Sequence, residues 1–113
     1  MFVDERINRI TIAVTEGARN VFGDKLVSVI LYGSYARGDY DTESDVDIML
    51  LIDLPASELW HYRDELSILS SDISLKDEDC ITVSIHDQDL ATFEKWKDHL
   101  PFYKNVIKDG VIL

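Results

Sequence analysis

The sequence predicts an α/β (α+β) fold in which a small mixed β-sheet is flanked by helices, and three observations predict it. Apolar residues recur at helical spacing over 4–22 and again over 59–73. Two nearly all-apolar stretches, 26–32 and 46–52, have the length and composition of buried strands, and 80–86 alternates apolar with polar residues. The resulting order α-β-α-β-α-β-α-α places helices between successive strands, where they cover the faces of a sheet.

In chain order, Ile7, Ile10, Val14, Ala18 and Val21 form one face of a first helix, with Asp4 placed to cap it and Gly23 to close it. Residues 26–32 read as a strand buried on both faces. Gly33-Ser34 breaks that strand, Ser34 is suited to cap a short helix through Gly38, and 39–44 is polar and turn-like. Around the strand 46–52, Asp45, Asp47, Met49 and Leu51 share one face and Val46, Ile48, Leu50 and Ile52 the other. Pro55 opens a second long helix on which Leu59, Tyr62, Leu66, Leu69 and Ile73 keep a 3-4-3-4 spacing. On 80–86, Ile81, Val83 and Ile85 point inward and Thr82, Ser84 and His86 lie opposite. Asp89 caps a helical region bearing Leu90, Phe93, Trp96 and Leu100, which Pro101 interrupts. Residues 102–108 then form a short helix ended by Gly110, and 111–113 add a short edge strand. Trp60 and Trp96 fall at or beside core positions of their helices and are expected to fill the core or a partner interface.

The 113 residues fit a single domain, residues 1–113, and 46% hydrophobic with 29% charged residues is a globular composition. Asp and Glu number 22 against 11 Lys and Arg, for a formal charge of −11. Nucleic-acid affinity comes chiefly from Lys and Arg neutralising phosphates, so no nucleic-acid partner is expected. A basic protein, a cationic small molecule, or an anion presented with Mg²⁺ fits such a chain better. Cys80 is the lone cysteine, the N-terminus carries Asp4 and Glu5, and the longest apolar run, 48–52, is far short of the roughly 20 residues a membrane span needs. The expectation is a cytoplasmic protein with no membrane association. His61, His86 and His99 lie on different elements, which argues against a zinc site.

The chemistry-bearing stretch runs from Gly33-Ser34 to Asp45-x-Asp47. The start of a helix offers backbone N–H groups without intrahelical partners, so a Gly-Ser junction there can take a phosphate without a lysine. Gly33 admits close backbone approach and Ser34 adds a hydroxyl, although Gly-Ser at a strand end is by itself a common turn. Asp45 and Asp47 stand two apart on one strand face, with Cα atoms about 6.6–6.8 Å apart. Two carboxylates drawn to about 4 Å repel by roughly 4 kcal/mol at an effective dielectric of 20, and a divalent cation removes that cost. Mg²⁺ favours one or two carboxylates completed by substrate phosphates. Arg37, one turn after Ser34, is placed to reach a phosphate and equally to pair with Asp39, Asp41 or Glu43.

Gly33-Ser34, ten residues, then Asp45-x-Asp47 resembles the signature of the DNA polymerase beta-like nucleotidyltransferase superfamily. The length and the closing run Pro101-Phe102-Tyr103-Lys104-Asn105 look like its minimal nucleotidyltransferases (MNT), and the resemblance covers essentially the whole chain. It implies a polymerase beta palm-like fold, ATP as substrate and Mg²⁺ as cofactor. By position, Gly33, Ser34 and Arg37 would bind the nucleotide, and Asp45 and Asp47 would bind metal and be catalytic. Such proteins are commonly antitoxins of HEPN–MNT toxin–antitoxin pairs, transferring AMP to a tyrosine of the HEPN ribonuclease toxin. The resemblance therefore implies a protein adenylyltransferase.

One departure stands out. The superfamily supplies a third carboxylate from a later strand, and the matching face of 80–86 offers Thr82, Ser84 and His86 instead. Glu78 precedes that strand, and Asp87 and Asp89 follow it as expected helix caps. Either the site runs on two acids, with His86 a candidate base, or the chain neutralises its partner by binding without turnover. A tyrosine, with a reference pKa near 10, needs less help from a base than a sugar hydroxyl. A third reading is a transferase for a cationic small molecule such as an aminoglycoside.

Overall fold

In a computed structural model, which describes residues 4–113, the first helix α1 (Glu5–Phe22) begins where the Asp4 carboxylate accepts the amides of Arg6 and Ile7. It closes at Gly23, whose φ of 56° suits a residue without a Cβ. Strand β1 (Leu26–Tyr32) leads into a single helical turn, α2 (Ser34–Arg37), and strand β2 (Val46–Ile52) follows the polar segment after it. Both strands have the predicted limits. Beyond them come α3 (Ala56–Leu59), α4 (Arg63–Lys76), β3 (Val83–Asp89), α5 (Leu90–Trp96), α6 (Pro101–Asp109) and the edge strand β4 (Val111–Ile112).

The strands form one mixed sheet in the order β3-β2-β1-β4, with β2 antiparallel to β1, parallel to β3, and β4 antiparallel to β1. This is the α+β architecture the sequence predicts. Alternation along the strands divides the core into two layers. Val29, Leu31, Val46, Ile48, Leu50 and Ile52 pack against Ile7, Ile10, Val14 and Ala18 of α1 and Leu66 and Ile73 of α4. On the other face Ile30, Met49 and Leu51 meet Phe93 of α5 and Tyr103 and Val106 of α6. Among the described residues no helix is long and apolar enough to cross a membrane.

Several local expectations are corrected. Val27 is half exposed, so β1 is covered on both faces only from Val29 onward. The second long helix is interrupted by a 3₁₀ turn at Trp60–Tyr62, although Leu59, Leu66 and Ile73 remain buried at their predicted spacing. Trp60 and Leu100 face solvent and Trp96 is also exposed, so none of the three fills the core. Strand β3 begins at Val83 rather than residue 80 because the preceding residues are tied to the end of α4. The Ile81 amide donates to Asp77 Oδ2 (3.1 Å), the Ile81 carbonyl accepts from Ser74 Oγ (2.7 Å), and Cys80 takes φ 51°. The strand ends at Asp89 because it pairs with β2 residue for residue, from Val46↔Val83 to Ile52↔Asp89.

Candidate active site

On the face shared with α5 and α6, cover stops short of the end of the sheet where β1 finishes and β2 begins. Met49 and Leu51 are buried, Asp47 is half-buried and Asp45 is exposed. In the ladder Asp47 pairs with Tyr32 on one side and Ser84 on the other. Asp47 thus lies beside the Gly33-Ser34 junction, and Asp45, just before the strand, is near enough to act on its charge.

Gly33 is the point of contact between the two halves of the motif. Its φ of 77° and ψ of −157° are open to glycine, and a Cβ there would collide with Oδ2 of Asp47. It is Gly33, not Ser34, that occupies the N-cap position of α2, and no side-chain cap bond is made there. The Gly33 carbonyl accepts from the amides of Ala36 and Arg37, both at 3.1 Å. Those two amides are engaged, so the donors that a short helix start offers an anion are the earlier amides of Ser34 and Tyr35, with the Ser34 hydroxyl beside them. The turn is braced from outside: Tyr35 is buried, stacks on Tyr40 at 4.3 Å between ring centroids, and accepts from Arg6 Nη2 at 3.4 Å. These tyrosines pack, and Arg37 pairs with Asp39 (Nε to Oδ2, 3.2 Å) while remaining exposed.

The segment feeding β2 is ordered by Asp41, whose Oδ1 accepts from the Glu43 amide (2.9 Å) and the Ser44 hydroxyl (3.3 Å). This turn immediately precedes Asp45 and the first residue of β2. Burial pushes the Asp47 carboxyl above the usual range, Asp45 adds to the rise, and Arg37 opposes it. The Tyr32 phenol is pushed up to about 12, first by burial and then by Asp47. It therefore stays protonated and uncharged at neutral pH. Two interacting carboxylates with one cationic side chain in range make a hard oxygen donor set. That chemistry suits a hard divalent cation completed by water and phosphate oxygens. Among the described residues no group of three or more His, Cys, Asp or Glu could hold a metal.

Strand β3 brings Ser84 opposite Asp47 and His86 opposite Met49, so the position a third acid would take carries a hydroxyl or an imidazole. Asp87 lies within the strand, two residues before the residue that caps α5. It lines a groove on the other side with Arg63, Ser67 and Ser70. Asp89 does cap α5, accepting the Thr92 amide at 2.9 Å. Residue types alone do not single out Tyr32 or Gln88. Tyr32 stands one step before Gly33, and the β1–β2 pairing is the signal that puts it beside Asp47.

Residues 17–113 match the family described as nucleotidyltransferase domain. The chain belongs to that family. As a minimal nucleotidyltransferase it is similar to two relatives from Methanocaldococcus jannaschii. "Putative protein adenylyltransferase MJ0141" is 40% identical over 73 residues, covering 64% of this chain and 71% of the relative. "Putative protein adenylyltransferase MJ0604" is 32% identical over 95 residues, covering 84% and 85%. A crystal structure of a "putative nucleotidyltransferase" from Sulfolobus solfataricus is 21% identical, with a TM-score of 0.48 over 99% of this chain and 89% of that one.

Proposed function

We propose that this nucleotidyltransferase is a Mg²⁺-dependent protein adenylyltransferase that moves AMP from ATP to a tyrosine of a HEPN ribonuclease toxin and so acts as its antitoxin. The observation that carries the reading is the contact of Gly33 with Asp47, which joins a start of helix suited to phosphate to a pair of carboxylates suited to a cation. The relatives' names support the protein as acceptor, and the formal charge of −11 supports a protein rather than a polynucleotide.

In this reading the Ser34 hydroxyl and the amides of Ser34 and Tyr35 hold the terminal phosphates, Gly33 gives them room, and Arg37 balances charge at the rim. Asp45 and Asp47 would hold Mg²⁺, which when bound neutralises phosphate charge. Tyr32, kept as a phenol, places a neutral group beside Asp47 and does not compete for the cation. Ser84 and His86 on β3, in place of an acid, favour a second reading in which the chain silences its partner by binding alone.

Incubation with a HEPN toxin, Mg²⁺ and ATP labelled on its α-phosphate separates the two. Label on a toxin tyrosine, lost with Asp45→Ala plus Asp47→Ala, supports transfer. No transfer, or transfer undiminished in the double variant, overturns it. Protection of cells by a double variant that no longer binds ATP would establish the second reading.

A further inference from the structure

A chain of hydrogen bonds leads from a buried helix cap to the open end of the sheet. Asp89 is buried, and one of its carboxylate oxygens is fixed by the Thr92 amide at 2.9 Å. The other, Oδ1, accepts from Gln88 Nε2 at 3.1 Å. An ionised carboxylate only accepts, so the nitrogen of the Gln88 amide must face Asp89 and its oxygen must face away. That oxygen, Oε1, accepts from the Tyr103 hydroxyl at 2.8 Å and stands 3.2 Å from Nε2 of His86. Burial, and Asp89 nearby, raise the Tyr103 phenol, which keeps it a donor. An amide oxygen carries no proton, so the contact with His86 is a hydrogen bond only when Nε2 bears the hydrogen. The neutral ring then keeps its lone pair on Nδ1.

His86 stands on the face of Asp45 and Asp47, one strand over and two residues along from Ser84, the partner of Asp47. With strands about 4.8 Å apart and two residues spanning about 6.6 Å, the Cα atoms of Asp47 and His86 are roughly 8 Å apart, within joint reach of one substrate group. Phe102 of α6 packs edge-on against both His86 and Tyr32, each at 5.6 Å between ring centroids, which limits the freedom of the imidazole.

We propose that His86 is the proton acceptor for nucleotidyl transfer, and that Gln88 is the positioning residue that leaves Nδ1 free for that work. The inference rests on the transferase reading above. The acceptor hydroxyl gives its proton to Nδ1 as its oxygen bonds to the α-phosphorus of ATP. The bond from that phosphorus to the oxygen bridging to the β-phosphate breaks, and pyrophosphate departs with the electron pair. A neutral imidazole with a free lone pair on one ring nitrogen can take that proton.

Two measurements on the full chain test it. Nitrogen-15 NMR of the His86 ring should show one neutral tautomer with the proton on Nε2, and a mixture in Gln88→Leu. A proton on Nδ1 in the unsubstituted protein overturns the proposal whatever the activity. In transfer assays, His86→Ala should lower kcat about 10²-fold with KM for ATP unchanged, and free imidazole should restore part of the rate. Gln88→Leu should lower kcat about tenfold without such rescue. A wild-type rate in His86→Ala, while Asp45→Ala abolishes transfer, removes His86 and leaves the transferase standing. Absence of transfer by the unsubstituted protein removes both.

Discussion

On one side of β2, Val46, Ile48, Leu50 and Ile52 are completely buried in the core formed with α1 and α4. On the other, Met49 and Leu51 are covered by α5 and α6, while Asp47 and Asp45 run out toward solvent. The two sides differ only in the parity of neighbouring residues, yet one is built for packing and the other ends in charge. Each large apolar side chain buried contributes about 1.5–3 kcal/mol. A half-buried carboxylate beside a second one works against folding. An acid is tolerated at Asp47 because the covering helices stop before it.

Substitutions on the two sides should therefore separate activity from stability. The largest effect expected is from Asp45→Ala with Asp47→Ala, which should reduce transfer by about 10³-fold or more, since charge neutralisation is worth several kcal/mol, and leave the circular dichroism spectrum unchanged. On the packed side, Ile48→Ala should cost about 2–5 kcal/mol in urea unfolding through the cavity it leaves. Gly33→Ala tests the junction itself. Strain at a positive φ should cost about 1–3 kcal/mol, and the collision with Asp47 should lower transfer further than the stability loss explains.

The smallest effect is electrostatic. Asp47 has a folded pKa raised above its unfolded value, so its favourable contribution is complete below the unfolded value and is lost as pH rises through the folded one. At neutral pH and without a cation its charge is destabilising. Asp47→Asn should then raise the melting temperature by about a few degrees, with the gain shrinking as pH falls through the carboxylate range. A lower melting temperature for the variant at neutral pH would contradict this.

What was legible in the sequence was parity and motif. Strands 26–32 and 46–52 were readable to the residue because apolar runs bounded by glycine and charge leave little freedom in where a strand ends. The nearness of Gly33 and Asp47 was readable because a strand ending at Gly33 and one beginning before Asp47 are neighbours in the sheet. The limits of β3 were not, since its ends are set by pairing with β2 and by the ties of Ile81 to α4. Nor was the exposure of Trp60, because periodicity does not reveal a tightened turn. Asp89, Gln88 and His86 are joined within β3, but the bond from Tyr103 to Gln88 depends on how α6 docks across 15 residues of sequence separation. No local pattern carries that information.

If the proposed function is right, the open end of the sheet binds nucleotide and cation together. Titrating the isotope-labelled protein with ATP and Mg²⁺ and following backbone amide shifts tests it most directly. The largest changes are expected at Ser34, Tyr35, Asp45 and Asp47, and none in Asp45→Ala plus Asp47→Ala. Changes confined to the groove between α1 and α4, around Arg9, Asn20 and Asp72, would contradict it.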